Sequence, residues 1–104
     1  MNLILIPTTF GTSSELNKWG TIWDWKGYKK YSINHELLYA DMALIIPGLS
    51  HTVPRDVTAY TGLDALSHAL ESLWNKERNF ITQMYAMQSI KICLDTLPKL
   101  LKNL

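Results

Sequence analysis

Apolar positions come first in short unbroken runs and later at helical spacing. Residues 3–6 (Leu-Ile-Leu-Ile) and 42–46 (Met-Ala-Leu-Ile-Ile) are continuous apolar stretches, the pattern of strands covered on both faces. Pro47-Gly48 closes the second. Between them, residues 19–25 and 28–33 are rich in aromatic and β-branched side chains and flank Lys26-Gly27, which predicts a hairpin. Lys29 and Lys30 fall on its second strand, where charge discourages pairing with other chains. From Ser50 the period changes to that of a helix. Ala59, Leu63, Leu66, Leu70 and Leu73 share one side of a helix expected from about Pro54 to Trp74, and Val57, Thr61, Asp64, His68 and Glu71 share another. Thr52 is the candidate cap and Pro54 suits the first turn. Residues 75–79 break the pattern, and a second helix starts near Phe80. Ile81, Met84, Tyr85, Met87, Ile90, Ile92 and Leu94 lie nearly all round it, which predicts burial on most sides. Pro98 is expected to kink or end this helix and leave residues 99–104 as an apolar tail.

The totals narrow the class. With 104 residues and 47% apolar content, the chain can support one modest core. Ten basic and nine acidic residues give a formal charge of +1, which makes no electrostatic case for nucleic acid. Cys93 stands alone between Ile92 and Leu94, so no internal disulfide forms and a buried thiol in a reducing compartment is expected. No apolar run is long enough to span a bilayer, and the first lacks the basic lead-in of a signal peptide. A cytoplasmic protein without membrane partners is the expectation. A strand of the buried type at residues 3–6 needs neighbours on both sides, so the chain reads as the middle of something larger, with a boundary between Ile46 and Thr52.

Two stretches carry candidate chemistry. Asp64 and His68 are four residues apart within the first helix, so a carboxylate and an imidazole stack one turn apart and can reach one ion. Such a pair is also a common solvated contact. Residues 7–15 (Pro-Thr-Thr-Phe-Gly-Thr-Ser-Ser-Glu) form a hydroxyl-rich loop after a strand. Loops at the carboxyl ends of strands in open α/β sheets bind ligands, and hydroxyls suit phosphate and ribose oxygens. The same residues also build ordinary turns.

Taken in order, Thr8-Thr9-x-Gly11-Thr12-x-Ser14-Glu15 and Thr61-Gly62-x-Asp64-Ala65-Leu66-x-His68-Ala69 resemble the central part of the iron-containing (group III) alcohol dehydrogenases. The likeness extends to the lysine after the hairpin turn, Glu36-Leu37-Leu38, Leu49-Ser50, Val53-Pro54 and Ile81-Thr82. It implies an α+β fragment. Residues 1–49 would be the end of an NAD(P)-binding α/β domain, with strands and a β-hairpin, and residues 50–104 the start of an all-helical metal-binding domain with two long helices. Thr8, Thr9 and Thr12 match the loop that contacts the cofactor's phosphates and nicotinamide riboside. Lys30 matches the lysine near its ribose, with Lys29 one position away. Asp64 and His68 match two ligands of a divalent ion, Fe²⁺ or Zn²⁺. His35 and His51 match no ligand.

The implied reaction is hydride transfer between NAD or NADP and a small alcohol or aldehyde, in a protein expected to be a homo-oligomer. The aromatic segment from Trp19 to Asp24 loosely resembles members that reduce phosphonoacetaldehyde, with Asn17, Lys18 and Trp19 shaping the pocket. Ile45-Ile46-Pro47 departs from the family, which usually has an acidic residue before that proline. The family's other two metal ligands, both histidines, and its glycine-rich pyrophosphate turn have no match in these residues. Two ligands hold an ion poorly, so the 104 residues alone are expected to be inactive. Two alternatives stand beside this reading: a non-catalytic binding or self-association module, and a zinc polyol dehydrogenase.

Overall fold

A computed structural model describes residues 2–104. Its order is β1 (Ile4–Leu5), β2 (Trp19–Asp24), β3 (Lys29–Asn34), β4 (Met42–Ala43), α1 (Arg55–Trp74) and α2 (Phe80–Asn103), with short 3₁₀ turns at Ser14–Leu16, Glu36–Leu38 and Pro47–Ser50. This is the α+β content expected: short strands with one hairpin, then two long helices. The residues form two compact units. One holds the chain up to Thr8 and Ser13–His51, and the other holds Thr9–Thr12 and Thr52–Leu104.

In the first unit β1 pairs in parallel with β4, Ile4 opposite Met42 and Leu5 opposite Ala43. Asp41 locks the pair, because its carboxylate accepts from the Leu3 amide (2.7 Å) and its own amide donates to the Leu3 carbonyl (2.9 Å). Of the strands expected at residues 3–6 and 42–46, only Ile4–Leu5 and Met42–Ala43 are strand, and their predicted burial does not hold. Ile4 is 54% exposed and Met42 56%, since among the described residues each strand has two residues and one partner. The hairpin runs antiparallel from Trp19 opposite Asn34 to Asp24 opposite Lys29. Asp24 Oδ1 accepts from the amides of Lys26 (3.1 Å) and Gly27 (2.9 Å), an Asx turn that replaces missing ladder bonds. A Cβ on Gly27 would lie 2.5 Å from Asp24 Oδ2, so any side chain there would have to displace this carboxylate.

The second unit is the pairing of α1 with α2. Pro54, not Thr52, occupies the N-cap position of α1. Its carbonyl accepts from both the amide (2.9 Å) and the hydroxyl (3.1 Å) of Thr58, so the helix starts without a side-chain cap from the residues before it. Asn79 caps α2 through a reciprocal pair: its Oδ1 accepts from the Thr82 amide (3.1 Å), and the Thr82 hydroxyl accepts from its own amide (2.9 Å). Small residues make the contact between the helices. Ala69 and Ala86 are the only buried residues among those described, and Gly62 lies under Leu97.

Four expectations for this unit are corrected. Leu63 is 55% exposed, because the seam runs along Gly62 and Ala69 and turns Leu63 aside. The sides of α2 predicted to be buried are open, with Ile81 64% and Tyr85 73% exposed, since α1 covers a single stripe. Cys93 is only partly buried. Pro98 does not end α2, which continues to Asn103. The turn beyond it is held by Arg55, whose Nε donates to the Leu101 carbonyl at 3.0 Å.

Candidate metal and cofactor site

Helical spacing places Asp64 and His68 as expected, on one face of α1 and one turn apart. Asp64 Oδ2 lies 3.5 Å from His68 Nε2, with side-chain exposures of 41% and 60%. Although the carboxyl group as a whole is partly open, Oδ2 itself is buried and accepts no hydrogen bond. A buried acceptor without a donor is costly, and a cation bridging to the imidazole would satisfy it. Neighbouring polar groups are already engaged. The Ser67 hydroxyl donates to Glu71 Oε1 (3.0 Å), and the Ser72 hydroxyl donates to the His68 carbonyl (2.9 Å). Among the described residues no cluster of three or more His, Cys, Asp or Glu forms, so this chain offers an ion two side chains.

The hydroxyl loop is divided between the units. Thr8 belongs with the strands, and Thr9 and Thr12 belong with the helices. All three are exposed. Gly11 anchors the helical part, since a Cβ on it would stand 2.3 Å from the Thr61 carbonyl oxygen of α1. That contact was not legible beforehand, because a glycine in a Thr/Ser loop signals only a turn. Lys30 lies opposite Trp23 in the hairpin, its Nζ 5.4 Å from the ring centroid. Trp23 stacks in turn on Trp25, with centroids 5.6 Å apart and planes at 18°. Lys29, opposite Asp24, projects from the other face.

The residues considered for a substrate pocket have structural partners. Asn17 Oδ1 accepts from the Trp19 amide (2.9 Å), and Nδ2 donates to the Ser13 carbonyl (2.8 Å). Lys18 pairs with Glu36 and lies 5.8 Å from the centre of the Tyr39 ring. The Glu36 carboxylate, first by hydrogen bonding and then by charge, holds the Lys18 ammonium above its ordinary pKa. His35 caps the Glu36–Leu38 turn, its Nδ1 accepting from the Leu37 amide at 3.1 Å.

Comparison with known proteins decides the family. Residues 58–104, which hold most of α1 and all of α2, match the C-terminal domain model of the Fe-containing alcohol dehydrogenase family. An aldehyde-alcohol dehydrogenase of Streptococcus pneumoniae is 38% identical over 100 residues, 96% of this chain and 11% of that protein. The chain belongs to the iron-containing alcohol dehydrogenase family. Solved members share its fold over nearly the whole chain. A sulfoacetaldehyde reductase from Bifidobacterium kashiwanohense, in complex with NAD+, superposes with a TM-score of 0.91 at 32% identity, covering 98% of this chain and 27% of that one. An iron-containing alcohol dehydrogenase from Thermococcus thioreducens gives 0.88 at 33% identity, covering 97% and 26%. The chain therefore spans about a quarter or less of the length of these relatives.

Proposed function

We propose that this chain is part of a metal- and NAD(P)-dependent alcohol dehydrogenase or aldehyde reductase. Residues 1–49 would complete the cofactor domain and residues 50–104 begin the metal domain. The carrying observation is Asp64 Oδ2, buried without a hydrogen bond 3.5 Å from His68 Nε2, in a family of iron-containing enzymes. Asp64 supplies an anionic oxygen and His68 an imidazole nitrogen, a donor pair that suits Fe²⁺ or Zn²⁺. The hydroxyls of Thr8, Thr9 and Thr12 would hydrogen-bond the phosphate and ribose oxygens of NAD or NADP, and Lys30 would add positive charge near the ribose. When bound, the ion supplies Lewis acidity to the substrate oxygen and the nicotinamide carries the hydride.

The substrate class is a small alcohol or aldehyde. An aldehyde carrying an anionic group, phosphonoacetaldehyde or sulfoacetaldehyde, is the first to assay, given the relative that reduces sulfoacetaldehyde. With two metal-binding side chains the 104 residues alone are expected to be inactive, and metal-dependent alcohol oxidation by them would overturn that expectation.

Thermal melting with Zn²⁺ tests the metal reading. Binding to the folded state alone adds about 2.7 kcal/mol at a hundredfold excess over Kd, or ~10 °C for a domain of this size. The rise should vanish in Asp64→Ala and His68→Ala. A rise that persists in both variants rejects these ligands.

A second reading, a self-associating module, is favoured by the apolar side of α2, where Phe80 is 76% and Leu94 60% exposed. It also supports the expected homo-oligomer. Sedimentation as a monomer at high concentration would remove it.

A further inference from the structure

We propose that Gly11 is a positioning residue that seats the hydroxyl loop on α1 and makes the loop's shape respond to an ion at Asp64 and His68. The inference rests on the metal reading above and extends it.

Thr9–Thr12 pack with the helices, while the residues on either side, Thr8 and Ser13, pack with the strands. The loop is therefore held locally by what it touches on α1. At Gly11 the fit leaves no room for a side chain. A Cβ would stand 2.3 Å from the Thr61 carbonyl oxygen, 2.9 Å from its carbonyl carbon and 3.0 Å from its Cα. All three are backbone atoms within a helix, so none can rotate away, and any larger residue must lift the loop. The Thr61 hydroxyl is turned back into its own helix, donating to the Val57 carbonyl at 3.0 Å and approaching that of Thr58 at 3.3 Å. The loop thus rests on main chain held by i−4 bonding.

Thr61 is three residues before Asp64, so the turn that supports Gly11 is the turn that carries the first metal-binding side chain. Asp64 and His68 holding an ion would constrain this stretch of α1, and Gly11 would pass that constraint to Thr9 and Thr12 on either side of it.

Amide NMR of the full 104-residue chain under Zn²⁺ titration tests this. The expected result is that the amides of Thr9, Gly11 and Thr12 shift with the same midpoint as those of Asp64 and His68. In Gly11→Ala, Asp64 and His68 should still respond while Thr9 and Thr12 do not. Shifts at Asp64 and His68 with a silent loop in the wild-type chain would overturn the coupling and leave the metal site standing. Silence at all five positions would refute the metal reading and the coupling with it. Metal-free hydrogen exchange then decides the seating alone. Gly11→Ala should speed exchange at Thr9 and Thr12 by about tenfold and leave the hairpin amides unchanged, and unchanged loop exchange would refute the seat. If Gly11→Ala fails to fold, the wild-type titration decides the coupling unaided.

Discussion

Gly62 on α1 lies under Leu97 on α2, whose Cδ1 is 2.5 Å from where a Cβ on Gly62 would stand. Gly62→Ala would remove a helix-interior glycine, a gain of about 1 kcal/mol. It would also put a methyl group where Leu97 Cδ1, Cδ2 (2.9 Å) and Cγ (3.3 Å) already are. The Cδ atoms can swing away through χ2, but Cγ moves only by a change of χ1, whose rotamers are few on a helix, and overpacking of this kind costs about 1–3 kcal/mol. The net expectation is a loss of ~1 kcal/mol in urea unfolding. In a Leu97→Ala background the same glycine substitution should become stabilising by up to ~1 kcal/mol. An equal effect in both backgrounds would show that the contact is not the cause.

Pro98 lies inside α2, without an amide for the carbonyl four residues earlier and with its ring against that turn. An interior proline costs about 3 kcal/mol, and its loss returns about 0.4–1 kcal/mol of unfolded-chain entropy. Pro98→Ala should therefore stabilise the helical unit by ~2 kcal/mol. Arg55→Ala should do the opposite, because Arg55 Nε holds the Leu101 carbonyl beyond the proline at 3.0 Å. That loss is expected to be about 1 kcal/mol, with hydrogen exchange rising first in the last turn of α2. Uniform exchange along α2 in Arg55→Ala would argue against this tie.

These two predictions mark where the sequence stopped being informative. The hairpin and both helices were legible from local signals: Lys26-Gly27 between aromatic runs, the change of period after Ser50, the break at residues 75–79. Burial was not legible. Apolar periodicity pointed to Leu63 and to the whole circumference of α2, but the helices meet through Gly62, Ala69 and Ala86, residues too small to stand out in a hydrophobic pattern. Pro98 was read by its intrinsic effect, yet α2 continues past it to Asn103, with one hydrogen bond from Arg55 to the turn beyond it. In the candidate site, the Asp64–His68 spacing was plain. The lack of a hydrogen bond at Asp64 Oδ2 and the seating of Gly11 on Thr61 depend on contacts that only the folded chain reveals.

The hairpin turn depends on one carboxylate. Asp24 Oδ1 accepts from two turn amides, and each such bond contributes about 0.5–1.5 kcal/mol. Asp24→Ala is expected to remove ~1–2 kcal/mol from the strand unit and to broaden or shift the amide signals of Lys26 and Gly27. Asp24→Asn keeps an oxygen acceptor and should retain most of the turn. If Asn and Ala behave alike, the negative charge and not the hydrogen bonding holds it.

The Lys18–Glu36 pair sets a pH dependence whose sign follows from the direction of the shift. Glu36 holds the Lys18 ammonium above its ordinary value of 10.5. A group whose pKa is raised on folding gives its full contribution below the unfolded value and loses it as the pH climbs through the folded one. The pair should thus be insensitive to pH across the neutral range and weaken only above about 10.5. Side-chain NMR should find Lys18 titrating above its ordinary 10.5, and Glu36→Gln should bring it back toward that value. The carboxylate also belongs to the turn that His35 caps, so the loosening at high pH should register at Leu37 and Leu38 before it reaches β2. A Lys18 titration unchanged by Glu36→Gln would assign the shift to Tyr39, the other group that raises it.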